Sequence, residues 1–354
     1  MSTLFAERFK SARQMNGFSL QDLSDQLKNK ISKQALHKYE KGHVVPDSEM
    51  IGLLCDVLGV RPDYFFRKNQ VKLEEIEFRK LKKLAVKEEK RIIEHAVDYL
   101  SRYIELEGLL NIDTQFNNPL KNWDPISTIS EIEDAAAEVR KAWSIGSDAI
   151  SNVIELLEDH HVKVIYVNAG DAYDGMQTWV LDYNVPVIAI NENNVKKEDR
   201  KRFTAMHELG HLILPMPGKL PEKEKEKICH QFASAMLFPA EALRNELGKH
   251  RSKIHVQELG ALKKQYGISM QAIIMRAKDL EIISDAYCRQ LFVFFKQMNW
   301  RVEEPVEYEG KETSNRFDQL IFRALAEEVI LVSKAASLKN LKLAEFQKQS
   351  LLME

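Results

Sequence analysis

Cysteine is scarce in this chain: Cys55, Cys229 and Cys288 are the only three among 354 residues. An odd number at wide spacing builds neither a disulfide framework nor a zinc ribbon, and it points to a reducing compartment. Glycine and proline are also few, 14 and 10, which excludes a fibrous repeat and a mainly disordered chain. Apolar runs never approach the ~18 residues of a membrane span. The N-terminus reaches a charge at Glu7, so no export signal is expected and the reading is cytoplasmic. A formal charge of −2 rules out a uniformly basic coat or an acidic tail. What is present, 44% hydrophobic and 29% charged residues, is the make-up of a globular protein with two to three domains.

The charge is uneven. Residues 1–68 carry 11 Lys/Arg against 8 Asp/Glu, and their pattern predicts five short helices over 4–15, 19–27, 32–41, 48–58 and 62–66. Residues 71–110 alternate charged and aliphatic positions at helical spacing, as a long amphipathic helix or a pair of them would. Asn117-Asn118-Pro119 and Asp124-Pro125 break that pattern and mark a boundary. Beyond it come helices over 132–143 and 147–158, then strand-like runs over 162–167, 178–183 and 187–191, the last two expected as an antiparallel hairpin around Asn184. Helices over 199–214 and 221–237 follow, each stopped by proline. A helix-turn-helix-like pattern occupies 255–283, and the tail holds an apolar run at 291–295 and a helix at 315–334.

The sharpest chemical signal is His207-Glu208-Leu209-Gly210-His211. Spacing of four residues puts both imidazoles on one helix face, where two neutral nitrogens reach one Zn²⁺ at about 2.0–2.1 Å. Glu208 projects beside them, placed to hold the attacking water and take its proton. Gly210 is expected to leave room near the metal. A catalytic zinc needs a third protein ligand and one open position. The next helix offers Glu222, Glu224, Glu226, His230 and Cys229, and spacing does not choose between Glu226 and His230. Tyr173 and His230 are the candidates for an oxyanion donor.

Arg202-Phe-Thr-Ala-Met-His-Glu-Leu-Gly-His-Leu-Ile-Leu214, followed by Glu226-Lys-Ile-Cys-His-Gln-Phe-Ala-Ser-Ala-Met-Leu-Phe-Pro239, resembles the ImmA/IrrE family of zinc metallopeptidases. The resemblance covers about residues 130–245. It implies a zincin-like α+β domain, one Zn²⁺ per chain, Glu226 as third ligand, and cleavage of a partner repressor with few cuts. Cys229 and His230 stand where the family usually has Ala-Asn, which raises the question of whether either approaches the metal. A substrate segment is expected to add as a strand beside residues 187–191.

Ser19-Leu-Gln-Asp-Leu-Ser-Asp-Gln-Leu27 with Ile31-Ser-Lys-Gln-Ala-Leu-His-Lys-Tyr-Glu-Lys-Gly42 resembles the XRE, or lambda-repressor-like, helix-turn-helix. Ser32 caps the second helix. Lys33, Gln34, His37 and Lys38 are expected to face a DNA major groove, and Gln21 a phosphate. Lys28-Asn29-Lys30 makes the turn longer than the family's and free of glycine.

The expected class is multidomain and mainly α. Its parts are an XRE-type helix-turn-helix bundle (1–68), a helical linker (69–128), an ImmA/IrrE-like zinc peptidase domain with a small antiparallel sheet (129–245), a helical module (246–284) and a C-terminal extension (285–354). The expected function is a DNA-binding regulatory zinc endopeptidase that cuts a repressor or antitoxin-like partner, or itself. Operator DNA and a helix-turn-helix repressor are the expected partners, no membrane is involved, and a homodimer fits because XRE modules often dimerise. The rival readings are an XRE repressor or antitoxin with an inactive peptidase-like scaffold, and a protein-binding adaptor with no DNA contact.

Overall fold

The computed structural model describes residues 2–68, 71–74, 84–126, 128–170 and 173–351. The chain clusters into two compact units, residues 1–114 with 180–183 and 315–354, and residues 115–179 with 184–314. Segments 285–314 and 315–354, joined in the sequence reading as one extension, therefore lie in different units.

The first unit begins with α1 (Ser2–Met15), α2 (Leu20–Gln26), α3 (Lys33–Glu40) and α4 (Ser48–Leu58), closed by a 3-10 turn over Pro62–Phe66. The starts of α2, α3 and α4 have a local cause. Ser19 and Asp22 form a capping box on α2, Ser32 accepts from the Ala35 amide, and Asp47 accepts from the Met50 amide at 2.8 Å. Phe5, Phe9, Leu23, Leu36, Leu54, Leu58 and Phe65 fill the core. The long glycine-free turn is made by two consecutive left-handed residues, Lys28 (φ 53°) and Asn29 (φ 57°), and Ser24 Oγ donates to the Ile31 carbonyl at 2.7 Å to hold it.

Of the helix or pair of helices expected over 71–110, residues 71–74 are instead non-helical, Leu73 forming an isolated antiparallel bridge with Val180, residues 75–83 lie outside the described residues, and Val86–Leu109 is one helix, α5. It packs along α1.

The second unit starts with α6 (Ile129–Ala142) and α7 (Val153–Asp159). The latter begins six residues later than its apolar pattern suggested, because Asn152 caps it by accepting from the Glu155 amide at 3.1 Å. Three strands follow, β1 (Lys163–Val167), β2 (Gly175–Val180) and β3 (Val185–Asn191), in the order β1-β3-β2. The sheet is mixed, not purely antiparallel, since β1 runs parallel to β3 in the register Lys163 to Val187 through Val167 to Asn191. Next come α8 (Glu198–Ile213), α9 (Glu222–Leu237), α10 (Ala240–Leu247), α11 (Val256–Tyr266), α12 (Met270–Asp279) and α13 (Asp285–Gln297). One apolar core joins these elements, from Ile132 and Val139 through Ile188, Met206, Leu209 and Phe232 to Ile273 and Phe295.

The segment after α13 contributes two buried carboxylates. Glu304 accepts from Lys263 Nζ at 2.8 Å and from the Met270 and Gln271 amides at 3.0 Å, capping α12. Glu312 pairs with the fully buried Arg202 of α8 and accepts from the Val153 amide at 2.7 Å.

The chain then returns to the first unit as α14 (Arg316–Ala326), α15 (Val332–Leu338) and α16 (Leu343–Leu351). The single helix expected over 315–334 breaks after Ala326, where Glu328 takes a positive φ of 57°. Phe317, Leu320, Ile321, Leu338 and Phe346 close a core with Tyr103 and Leu106 of α5. Arg67 ties the bundle to α15, donating to the Ser337 carbonyl at 2.9 Å and its hydroxyl at 2.8 Å. Among the described residues, no helix is long and apolar enough to cross a membrane.

Candidate functional site

Helix α8 places His207 and His211 one turn apart, and α9 crosses against it carrying Glu226. His207 Nε2 and His211 Nε2 are 3.2 Å apart, and the Glu226 carboxylate oxygens lie 3.1 Å from the first and 3.4 Å from the second. Donor atoms at the corners of a tetrahedron with metal bonds of about 2.0–2.1 Å are separated by about 3.3–3.4 Å. The three side chains thus stand at nearly the mutual spacing that a four-coordinate divalent ion imposes, and as two imidazoles with one carboxylate they are a suitable donor set for zinc. His207 is buried, whereas the Glu226 side chain is 32% exposed, so the group opens to solvent on the Glu226 side, as a catalytic centre requires. His207 Nδ1 is buried without a hydrogen-bond partner among the described residues.

The close crossing of α8 and α9 explains Gly210. A Cβ there would lie 3.2 Å from Phe232 Cδ1 and 3.3 Å from Cys229 Sγ. Its role is helix contact, not the space beside the metal that the sequence suggested. Cys229 is fully buried at this contact and is outside the ligand group formed by His207, His211 and Glu226. His230 is exposed; its ring lies 4.3 Å from that of His207 and stacks on Phe203 at 5.6 Å, also outside the ligand group.

The Glu208 side chain packs against the start of β2. Gly175 opens that strand, and a Cβ on it would lie 2.9 Å from Glu208 Cγ. Tyr173 stands in the same neighbourhood. Its hydroxyl is buried with no hydrogen-bond partner among the described residues, and burial, with the charge of Glu208, pushes the phenol well above its ordinary range. It remains a proton donor at all physiological pH. Asn191, fully buried at the end of β3, holds the backbone here, donating to the Tyr173 and Gly170 carbonyls at 2.7 Å each. Neither Gly175 nor Asn191 was singled out as a site residue in the sequence. Strand addition beside residues 187–191 is overturned, because β3 is the central strand and all seven of its residues are buried.

On the first unit, Lys33, Gln34, His37 and Lys38 are exposed along α3 while Leu36 points into the core. Ser32 is engaged as the N-cap. Gln21 is exposed on α2, its amide donating to Asp25 at 2.9 Å.

Residues 157–278 match the family described as the IrrE N-terminal-like domain, a metallopeptidase family. Residues 9–65 match the helix-turn-helix family. The chain thus joins an N-terminal XRE-type helix-turn-helix domain to an IrrE-like domain. A stretch of 64 residues, 18% of the chain, is 36% identical to the SPbeta prophage-derived uncharacterized HTH-type transcriptional regulator YonR of Bacillus subtilis (strain 168), and spans 57% of that relative's length.

Proposed function

We propose that this protein is a DNA-tethered zinc endopeptidase that cuts a repressor or antitoxin-like partner, or its own chain. The observation that carries the reading is the spacing of His207, His211 and Glu226, with Glu208 one residue from the first ligand. Zinc held by these three side chains would supply Lewis acidity toward a scissile carbonyl and toward the attacking water. Glu208 takes the proton from that water and passes it to the leaving amine. The Tyr173 hydroxyl donates to the carbonyl oxygen as negative charge develops there. Asn191 acts at one remove, as a positioning residue that fixes the Tyr173 backbone.

Helix α3 offers Lys33, Gln34, His37 and Lys38 to base edges and phosphates of an operator. Tethering raises the concentration of any substrate bound to the same DNA. Metal content and cleavage of co-encoded helix-turn-helix proteins, compared between the wild type and Glu208→Gln, test the reading. Zinc at one per chain in both proteins with cleavage only by the wild type is the expected result. Cleavage by Glu208→Gln at the wild-type rate sinks the enzyme, and an absence of bound zinc leaves the repressor with an inactive scaffold.

A further inference from the structure

The second unit contains a cavity of about 580 Å³ that the catalytic reading leaves unused. Glu226 and His230 form one edge, so the cavity opens beside the metal-ligand group. Its apolar surface comes from Phe203 of α8, Ala272 and Met275 of α12, and Phe292 of α13. Met275 is 41% exposed. Helix α12 belongs to the second helix-turn-helix-like segment of the sequence, and here it forms the wall facing α9.

The charges at the rim are one-sided once internal pairs are set apart. Arg276 is held bidentate by Glu133 at 2.7 Å, and Lys278 by Asp279 at 2.9 Å. Glu226 is engaged with the two histidines. Lys223 and Lys227 remain, both exposed on α9 and neither in an ion pair among the described residues. The cavity is within the ~300–1,000 Å³ of ordinary ligand pockets, apolar inside and positive outside.

We propose that this cavity receives a bulky apolar side chain of the peptide being cut, and that Lys223 and Lys227 favour an acidic residue next to it. The proposal rests on the metallopeptidase reading and adds to it a substrate preference. Burial of an aromatic side chain in the cavity strengthens binding without touching the ligands, and the two lysines attract a carboxylate at the rim.

Calorimetric titration of the zinc-loaded full chain with hydroxamates tests this without knowledge of the substrate. Acetohydroxamate supplies the metal-binding group alone. A benzylsuccinyl hydroxamate amide adds an aromatic side chain, and its analogue with a neighbouring carboxylate adds the charge. The aromatic compound is expected to bind ~10–100-fold more tightly than acetohydroxamate. The carboxylate is expected to add ~2–5-fold at low salt, a gain lost in Lys223→Ala/Lys227→Ala. Ala272→Trp fills the cavity and Met275→Asp charges its wall, so each brings the aromatic compound down toward acetohydroxamate. Equal binding of acetohydroxamate and the benzyl compound by the wild type overturns the pocket and leaves the metal centre standing. A chain that holds no zinc and binds neither compound overturns the metallopeptidase reading and the pocket with it.

Discussion

Gly175 and Glu208 are packed so closely that a methyl group at position 175 would lie 3.0 Å from Glu208 Oε1 and 2.6 Å from Thr204 Cγ2. The first residue of an edge strand and the proposed general base therefore share one space. Gly175→Ala is expected to displace the Glu208 carboxylate and lower partner cleavage by about 100-fold, the scale of a misplaced catalytic group. The three atoms nearest to it belong to Thr204 and Glu208 and not to His207, His211 or Glu226, so zinc stoichiometry should stay at one per chain. Elemental analysis beside a cleavage time course checks both halves. Joint loss of zinc and cleavage would show instead that α8 moves as a whole.

Arg202 and Glu312 are both completely buried. Arg202 also donates to the Ile150 carbonyl at 2.6 Å and the Tyr266 carbonyl at 3.3 Å. Glu312→Ala leaves the guanidinium buried without its counter-charge, at an expected cost of ~3–5 kcal/mol. The double change Arg202→Met/Glu312→Leu should cost less than the single one, because it removes the charge as well as its partner. Urea unfolding of the three proteins decides this, and a double mutant less stable than Glu312→Ala contradicts it.

Lys28 holds a left-handed backbone at φ 53°, a conformation that disfavours a β-carbon by about 1 kcal/mol. Lys28→Gly should relieve that strain and slow amide exchange in α2 and α3 by about fivefold, as far as exchange follows opening of the bundle. Unchanged or faster exchange would mean that the lysine stem contributes packing that outweighs its backbone strain.

On operators selected from a random-sequence pool, Lys38→Ala should weaken binding across all sequences and reduce the salt slope by about one. Gln34→Ala should instead relax preference at one position, by ~1–3 kcal/mol. Anisotropy titrations at several salt concentrations separate the two. A uniform effect of Gln34→Ala would move that residue from the bases to the backbone.

The site was legible in the sequence where it is local. His207 and His211 lie on one helix, and a spacing of four residues suffices to align them whatever surrounds it. Glu226 is on the next helix, and apolar spacing gave it no advantage over His230; the crossing of α8 over α9, made close by Gly210, separates the two. That contact turns Glu226 toward the imidazole nitrogens and leaves His230 stacked on Phe203. In the N-terminal bundle the four short helices were readable from their apolar spacing, and the Ser32 cap because it is a contact over three residues. The two-residue left-handed solution of the Lys28-Asn29 turn was not, since neither residue type demands it.

Hydrophobic period and capping chemistry, acting within a few residues, determined from sequence alone that this chain is mainly helical, that its first 68 residues form short helices, and that two histidines share one face. Which strand is central and where residues 315–351 settle were decided only in three dimensions. These depend on burying surfaces and charges far apart in the chain. Arg202 and Glu312 are 110 residues apart, and neither has a stable buried position without the other.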